Sequence, residues 1–174
     1  MPASHWKPPA ELETFLADGA PPIYVGFGSM VGFDSDRLLD ILIDGIDGRR
    51  ALFFPGWSDI DAARLLRNFH VIGNTPHQWL FPRTAMVMHH GGAGTTHAAA
   101  AAGVPSIVLP FAGDQAFWAG RVRAAGVAPN AVPGSMITAA QLESWGGISP
   151  DLPYYLQDQR PAGFLGRAVP RQYP

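Results

Sequence analysis

The stretch AMVMHHGGAGTTHAAAAAG, residues 85–103, passes from an apolar run through a glycine-rich turn into an alanine-rich segment. The apolar run predicts a buried strand at 85–88, and the alanine-rich part predicts a helix at 95–102 with Gly103 just beyond its end. Strand, glycine turn and helix in this order are typical of a parallel sheet that is covered by helices.

The same alternation of short apolar runs and helical segments continues along most of the chain. Further strands are predicted at 23–27, 51–54, 69–72 and 106–109, and further helices at 10–18, from Asp34 or Ser35 onward, and at 114–125. This pattern predicts an α/β fold with a doubly wound parallel sheet, in other words a Rossmann-like domain. We expect a linker with a short helix at 1–22, the sheet domain at 23–142, and an irregular or disordered tail at 143–174.

The composition excludes several classes of protein. The 174 residues suit one domain, and 12 Lys and Arg against 14 Asp and Glu give no basic surface for nucleic acid or an anionic membrane. The absence of cysteine excludes disulfide scaffolds, cysteine–zinc sites and thiol nucleophiles. No apolar run approaches the roughly 20 residues of a membrane span, and no signal peptide is visible. We therefore expect a cytoplasmic protein.

The turn at 90–96 is the strongest candidate for a binding site, because ligands of parallel sheets bind at the carboxyl ends of strands. Its glycines let a ligand approach the backbone, and Thr95 and Thr96 add hydroxyls that can also cap the helix. The free N–H groups of a first helical turn favour a phosphate, to which His90 can donate a further hydrogen bond. The alternative is a tight turn in which the glycines serve packing alone.

Asp114 and Gln115 follow the predicted strand at 106–109 and form a second candidate site. A carboxylate beside a carboxamide suits a polyhydroxylated ligand, since the first accepts hydrogen bonds and the second both donates and accepts. The alternative is that Asp114 only caps the next helix.

Two weaker candidates lie in other turns. Ser29 follows the first strand and could contact a phosphate. Thr75 is predicted as a helix N-cap with Pro76 at the first helical position, which would bring His77 toward a base or a phosphate.

Metal and nucleophile sites are not indicated. His89, His90 and His97 have no carboxylate at ligand spacing, and the pattern G-x-S-x-G does not occur. We expect no metal, no cofactor and no catalytic residue in this chain.

Five motifs occur here in the order found in the carboxyl-terminal half of GT-B glycosyltransferases, which the chain resembles over about residues 5–142. They are PPIYVGFGSM at 21–30, PHQWLF at 76–81, HHGGAGTT at 89–96, GVP at 103–105 and PFAGDQ at 110–115. The sequence is most similar to UDP-glucose:sterol glucosyltransferases, with macrolide and glycopeptide glycosyltransferases nearby. The resemblance implies a domain that binds a UDP-sugar, with UDP-glucose expected, without a metal ion.

The resemblance also implies a role for each candidate residue. The diphosphate would contact His90 and the turn, the sugar hydroxyls Asp114 and Gln115, and the uracil and ribose Thr75 and His77, while Ser29 would lie near the phosphates. The turn residues of this donor site are Gly92, Ala93, Gly94, Thr95 and Thr96. The chain departs from plant relatives at Asn74, where they have a base-stacking Trp, and at Ala98, where they have a ribose-binding Glu. Base preference is therefore less well predicted than diphosphate binding.

The amino-terminal half of the family, which binds the acceptor and carries the catalytic histidine, has no counterpart in this sequence. One hypothesis is the donor-binding half of an inverting enzyme that transfers a hexose to a hydroxyl of a lipid, sterol or natural product. Alone, such a half would bind the nucleotide sugar without transfer. The alternatives are one subunit of a bipartite enzyme, completed by an acceptor-binding chain, and a degenerate binding domain. Any peripheral membrane association would arise only through the missing half.

Overall fold

Five parallel strands form one sheet in the computed structural model, which describes residues 6–28, 33–56 and 61–145. The strands are β1 Ile23–Gly26, β2 Ala51–Phe54, β3 Phe69–Val71, β4 Met86–His89 and β5 Ser106–Val108. Their order across the sheet is β3-β2-β1-β4-β5, and every neighbouring pair is parallel. The predicted doubly wound α/β fold is confirmed.

The helices cover both faces of this sheet. They are α1 Ala10–Ala17, α2 Ser35–Ile46, α3 His77–Leu80, α4 Ala93–Ala101, α5 Gln115–Ala124 and α6 Ala139–Ser144, with short 3₁₀ turns at Ala62–Arg64 and Phe81–Arg83. Strand β1 lies between β2 and β4, so the connections leave it in opposite directions along the sheet. At such a switch point a crevice opens outside the carboxyl ends of the strands, here between β1 and β4.

Successive strand residues point to opposite faces, and each face has its own core. On one face Val25, Phe53 and Met88 pack with leucines of α2 and with Leu142 of α6. On the other face the strand residues Tyr24, Leu52 and Val87 pack with residues of α1, α3 and α4, of which Leu12, Leu80 and Ala99 are fully buried. Because both faces are covered, the strands are mostly apolar, and each large buried apolar side chain contributes about 1.5–3 kcal/mol.

Helix α2 is held at both ends by local chemistry. The Asp34 side chain accepts a hydrogen bond from the Arg37 N–H at 3.0 Å, so Asp34, one of the two predicted caps, is the N-cap. The helix ends where Asp47 adopts a left-handed conformation with φ of 48°. Near that end a Cβ on Gly45 would lie 2.7 Å from Cβ of Leu142, so glycine allows α6 to approach α2 closely.

The sequence prediction did not include α6. Thr138 and Gln141 form a capping box in which each side chain bonds the backbone N–H of the other residue. The pattern Thr-x-x-Gln was the available signal. Of the predicted tail at 143–174, only 143–145 lies within the described residues.

Within the described ranges, no helix has the length and apolar character needed to cross a bilayer.

Candidate functional site

The described site residues that were predicted lie in the loops and first helical turns that follow β3, β4 and β5, all at the carboxyl edge of the sheet. Those after β4 and β5 approach each other, since a Cβ on Gly91 would lie 3.0 Å from the Gln115 carbonyl oxygen. His77, which follows β3, contributes to lowering the pKa of His89. Ser29 lies outside the described residues.

The helix after the glycine turn begins two residues earlier than predicted. Gly92 is the N-cap of α4 and makes no side-chain cap, so Thr95 and Thr96 lie inside the first turn. The Thr96 hydroxyl donates to the Gly92 carbonyl at 2.9 Å, while its N–H donates to the same oxygen at 3.0 Å. The expectation that these threonines cap the helix was therefore wrong.

The first turn of α4 leaves three backbone donors unused. The N–H groups of Ala93, Gly94 and Thr95 have no acceptor among the described residues, because the first bond of the helix is that of Thr96. Gly94 is exposed, and a Cβ there would meet nothing within 4 Å. Three free N–H groups at the positive end of a helix dipole, with open space at Gly94, favour an anion.

His90 lies beside this turn, half-buried between two glycines. A Cβ on Gly28 would lie 3.0 Å from Cε1 of the imidazole, and a Cβ on Gly92 would overlap Nε2. Nδ1 is buried and has no hydrogen-bond partner among the described atoms. Burial lowers the pKa of His90, and Asp114 partly opposes this effect. The neutral imidazole is therefore favoured until an anion binds beside it.

His89 is buried at the end of β4 and not in the turn. Its Nδ1 accepts a hydrogen bond from the Gly91 N–H at 3.1 Å, while Nε2 is buried with no described partner. Burial, reinforced by His90 and His77, lowers the pKa of His89 to about 3. The sequence assigned it no role beyond a rejected metal site, and the structure makes it the residue that holds the turn.

Asp114 stands at the N-cap position of α5, yet its side chain makes no cap hydrogen bond. Its Oδ2 accepts instead from the indole Nε1 of Trp118 at 2.8 Å. The alternative that Asp114 serves as a side-chain cap is therefore wrong. Because the carboxylate is exposed and uses one oxygen on Trp118, it retains acceptor capacity toward the open side.

Gln115 is buried and organises the loop in front of α5. Its Oε1 accepts hydrogen bonds from the N–H groups of Phe111 at 2.7 Å and Ala112 at 3.1 Å. Contact of Asp114 and Gln115 with sugar hydroxyls stays a prediction.

The structure revises the start of α3. Pro76 is the N-cap, and the Thr75 hydroxyl donates to the Gly73 carbonyl at 3.0 Å, so the predicted Thr75 cap was wrong. His77 stacks on Phe81 with ring centroids 4.4 Å apart, and burial lowers its pKa. Residues 73–77 line an open cavity of about 400 Å³, which is completed by Trp6, Tyr24, Phe54 and Ile72.

The described residues contain no group of three or more His, Asp or Glu side chains that could hold a metal ion. The polar groups that can meet a ligand at this edge include the three N–H groups of α4, His90 and Asp114.

Sequence comparison relates the chain to natural-product and sterol glycosylation proteins. The family model described as erythromycin biosynthesis protein CIII-like, C-terminal domain, matches residues 37–157. Sterol 3-beta-glucosyltransferase UGT80A2 of Arabidopsis thaliana is 40% identical over 144 residues, which cover 81% of this chain and 23% of that protein. Vancomycin aglycone glucosyltransferase of Amycolatopsis orientalis is 48% identical over 119 residues, which cover 67% of this chain and 29% of that protein. The chain thus spans about a quarter of the length of these relatives.

Solved structures with the same fold include the kitacinnamycin glycotransferase, with a TM-score of 0.63 and 22% identity over 91% of this chain and 41% of that one. Arabidopsis thaliana UGT89C1, crystallised with UDP-L-rhamnose, has a TM-score of 0.66 and 20% identity over 86% of this chain and 40% of that one. At this level of identity these structures establish the shared fold.

Proposed function

Because the chain belongs to the family of erythromycin biosynthesis protein CIII-like C-terminal domains of GT-B glycosyltransferases, we propose that it binds the nucleotide-sugar donor of a glycosyl transfer. The donor we propose is a UDP-hexose, with glucose expected. The observation that carries the proposal is the set of three unpartnered N–H groups at 93–95 beside a half-buried histidine.

The diphosphate would lie over the first turn of α4. There it accepts hydrogen bonds from the three N–H groups and from His90, each worth roughly 1.5–3 kcal/mol because the acceptor is charged. The helix dipole adds to this attraction and does the work for which other sites use a cation, so we propose binding without a metal or cofactor. The sugar would extend toward Asp114, whose exposed carboxylate suits hydroxyl donors.

We propose that the reaction proceeds with inversion at the anomeric carbon. The oxygen of an acceptor hydroxyl forms the new bond while the bond to the β-phosphate oxygen breaks, and UDP leaves with its charge against α4. A base must take the hydroxyl proton. We assign this base, and acceptor binding, to a domain or chain other than the described residues, which alone would bind donor without transfer. The length of the relatives supports this division.

The names of two relatives support the acceptor class that we propose. Two of them are a sterol and a vancomycin aglycone glucosyltransferase, so a hydroxyl of a sterol, another lipid or a natural product is the acceptor we propose.

Calorimetric titration of the full chain with UDP and UDP-glucose tests donor binding. His90→Ala should weaken both ligands at least roughly tenfold, since one charge-assisted hydrogen bond is lost. Asp114→Asn should weaken UDP-glucose more than UDP, because only the former carries the sugar.

Matched controls are His97→Ala and Asp44→Asn, which change the same residue types at exposed positions. Both should leave the affinities unchanged. A folded protein that gives no heat with millimolar UDP, or a His90→Ala variant that binds UDP as well as the unsubstituted chain, contradicts the proposal.

A further inference from the structure

The carboxylate of Asp114 is held by a side chain one helical turn further along the chain. The indole Nε1 of Trp118 donates a hydrogen bond to Oδ2 of Asp114 at 2.8 Å. The two residues are four positions apart at the start of α5, a spacing that places side chains on the same face of a helix. Because the acceptor is ionised, this hydrogen bond is stronger than one between two neutral groups.

The backbone of α5 does not hold this carboxylate. Asp114 occupies the N-cap position, where an aspartate usually accepts a hydrogen bond from an N–H of the first turn, but it makes no such bond. Its ψ of 0° also differs from the extended conformation that a capping residue usually adopts. Among the described residues, the indole of Trp118 is the hydrogen-bond donor that fixes the direction of the carboxylate.

The bond to the indole decides which carboxylate oxygen is presented to a ligand. Since Oδ2 accepts from the indole, Oδ1 keeps its full capacity to accept hydrogen bonds. Trp118 is half-buried, while Asp114 is exposed. A Cβ on Gly91 would lie 3.0 Å from the carbonyl oxygen of Gln115, so the start of α5 adjoins the turn before α4. A sugar joined to a diphosphate at that turn can therefore reach Oδ1.

Holding the carboxylate before the ligand arrives favours binding. A mobile exposed side chain must be immobilised when it contacts a ligand, and the lost freedom weakens binding roughly threefold to tenfold. The hydrogen bond from Trp118 imposes this order in the free protein, so the cost does not fall on the binding step.

We propose that Trp118 is a positioning residue for the donor sugar, whose indole N–H holds the Asp114 carboxylate so that Oδ1 accepts hydrogen bonds from the sugar hydroxyls. The inference rests on the proposed function and assigns a role to a residue that acts on the ligand only through Asp114. Trp118 should therefore affect the binding of the sugar and not that of the nucleotide.

Titrations of the full chain with UDP and UDP-glucose measure the contribution of the sugar as the ratio of the two affinities. Trp118→Phe keeps an aromatic ring and removes the N–H, so it should lower the affinity for UDP-glucose relative to UDP roughly threefold to tenfold. The affinity for UDP itself should stay unchanged. The control Trp79→Phe makes the same change of side chain in α3 and should leave the ratio unchanged.

A double-mutant cycle with Asp114→Ala tests whether Trp118 acts through the carboxylate. Asp114→Ala alone should lower the ratio, and adding Trp118→Phe to it should cause no further loss, because the group that the indole holds is already gone. A general packing defect would instead lower the ratio in both backgrounds and weaken UDP as well. Additive losses overturn the inference.

Nuclear magnetic resonance of the ¹⁵N-labelled indole groups remains informative if Trp118→Phe does not fold. The Trp118 signal, identified as the one that Asp114→Ala shifts most, should move further with UDP-glucose than with UDP in the unsubstituted chain. An equal response to the two ligands, or an unchanged affinity ratio in Trp118→Phe, overturns the inference.

The same titrations distinguish failure of this inference from failure of the proposed function. If UDP binding depends on His90 and Asp114→Asn selectively weakens UDP-glucose while Trp118→Phe does not, the proposed function stands and this inference falls. If the unsubstituted chain does not bind UDP, both fall.

Discussion

The two ends of the sheet differ in how their polar groups are hydrogen-bonded. At the amino ends of the strands, side chains donate hydrogen bonds to backbone carbonyls. Before β2, Arg50 donates hydrogen bonds to the carbonyls of Ala20 and Phe15, and its guanidinium lies over the Phe15 ring at 4.3 Å. Before β3, the Asn68 side chain donates to the Arg49 carbonyl at 2.6 Å. These contacts fasten α1 and the strand entries to one another.

At the carboxyl ends the donors are left open. Three N–H groups of α4 and one nitrogen each of His89 and His90 have no partner among the described residues. Each of the two buried histidine nitrogens costs about 1–3 kcal/mol, which the hydrogen bonds at the amino ends and the two cores must offset. The contrast teaches that stability and ligand binding are assigned to opposite ends of the same strands.

The largest loss of stability is expected from Gly91→Ala, which changes the tightly packed turn after β4. Gly91 has a φ of 96°, and a Cβ there would lie 2.8 Å from Cγ1 of Val108 and 3.0 Å from the Gln115 carbonyl. Backbone strain and overpacking together should lower the free energy of unfolding by about 3 kcal/mol, measured by urea titration. UDP binding should weaken with it, because the turn moves.

Gly103→Ala is the matched control for that substitution. Gly103 also has a positive φ, 68°, but a Cβ there would meet nothing within 4 Å. It should cost only the left-handed backbone term, about 1 kcal/mol. Equal losses in the two variants would mean that the turn after β4 is not tightly packed.

Arg50→Met removes hydrogen bonds at the amino ends of the strands instead. It removes both hydrogen bonds to backbone carbonyls while the chain keeps an apolar stem over Phe15, so the free energy of unfolding should fall by about 2 kcal/mol. Its UDP affinity should equal that of the unsubstituted chain, as measured by calorimetry. Arg67→Met, at an exposed position, is the control. A loss of UDP affinity without a loss of stability would contradict the idea that the amino ends of the strands serve stability and the carboxyl ends serve ligand binding.

His89→Gln tests how a buried histidine at the carboxyl end of β4 makes the free energy of unfolding depend on pH. The folded-state pKa of His89 is about 3 against 6.5 when unfolded, so the unfolded chain binds more protons between these values. Stability contributed by neutral His89 is therefore complete above pH 6.5 and falls as the pH drops toward 3, with a slope approaching about 1.4 kcal/mol per pH unit.

Urea titrations at pH 7, 6 and 5 measure this slope. His89→Gln should show a flatter dependence than the unsubstituted chain, and His97→Gln should not differ from it. The unsubstituted chain and His89→Gln have the same carboxylates and the same other histidines, so the difference in slope between them reports on His89. Parallel slopes for all three would mean that His89 becomes charged in the folded chain without penalty.

Much of the fold could be predicted because its signals are local. Apolar runs of strand length alternate with helical segments, and glycine or proline separates them, so all five strands were predicted to within a residue or so at each end. The order of the strands depends on pairing between distant segments, which periodicity does not contain. Helix α6 was missed because it is short, and its stability depends on Leu142 packing at Gly45.

The site, like the fold, has features that the sequence predicts and features that depend on contacts between distant residues. The chemistry of the turn at 90–96 follows from its residue types, while its cap geometry does not, because Gly92 and Pro76 take the N-cap positions through backbone conformation alone. Trp6 gave no signal at all, since its place in the cavity depends on a contact with Trp79 that lies more than 70 positions along the chain. Side chains that converge only in the folded state stay beyond prediction from one sequence.

Gly94→Ala should produce the smallest change in stability. It separates the effect of residue 94 on helix stability from its effect on diphosphate binding. Gly94 lies in the first turn of α4, and a Cβ there would meet nothing within 4 Å, so alanine should raise the free energy of unfolding by about 0.5–1 kcal/mol. If a diphosphate rests on the adjacent N–H groups, the new methyl group obstructs it and UDP should bind roughly tenfold more weakly. Gly120→Ala in α5 also adds a methyl group with no neighbour within 4 Å, so it should raise stability equally and leave the UDP affinity unchanged. Since neither substitution removes a contact within the chain, a difference in affinity between them can arise only from the ligand, and equal affinities would place the diphosphate elsewhere.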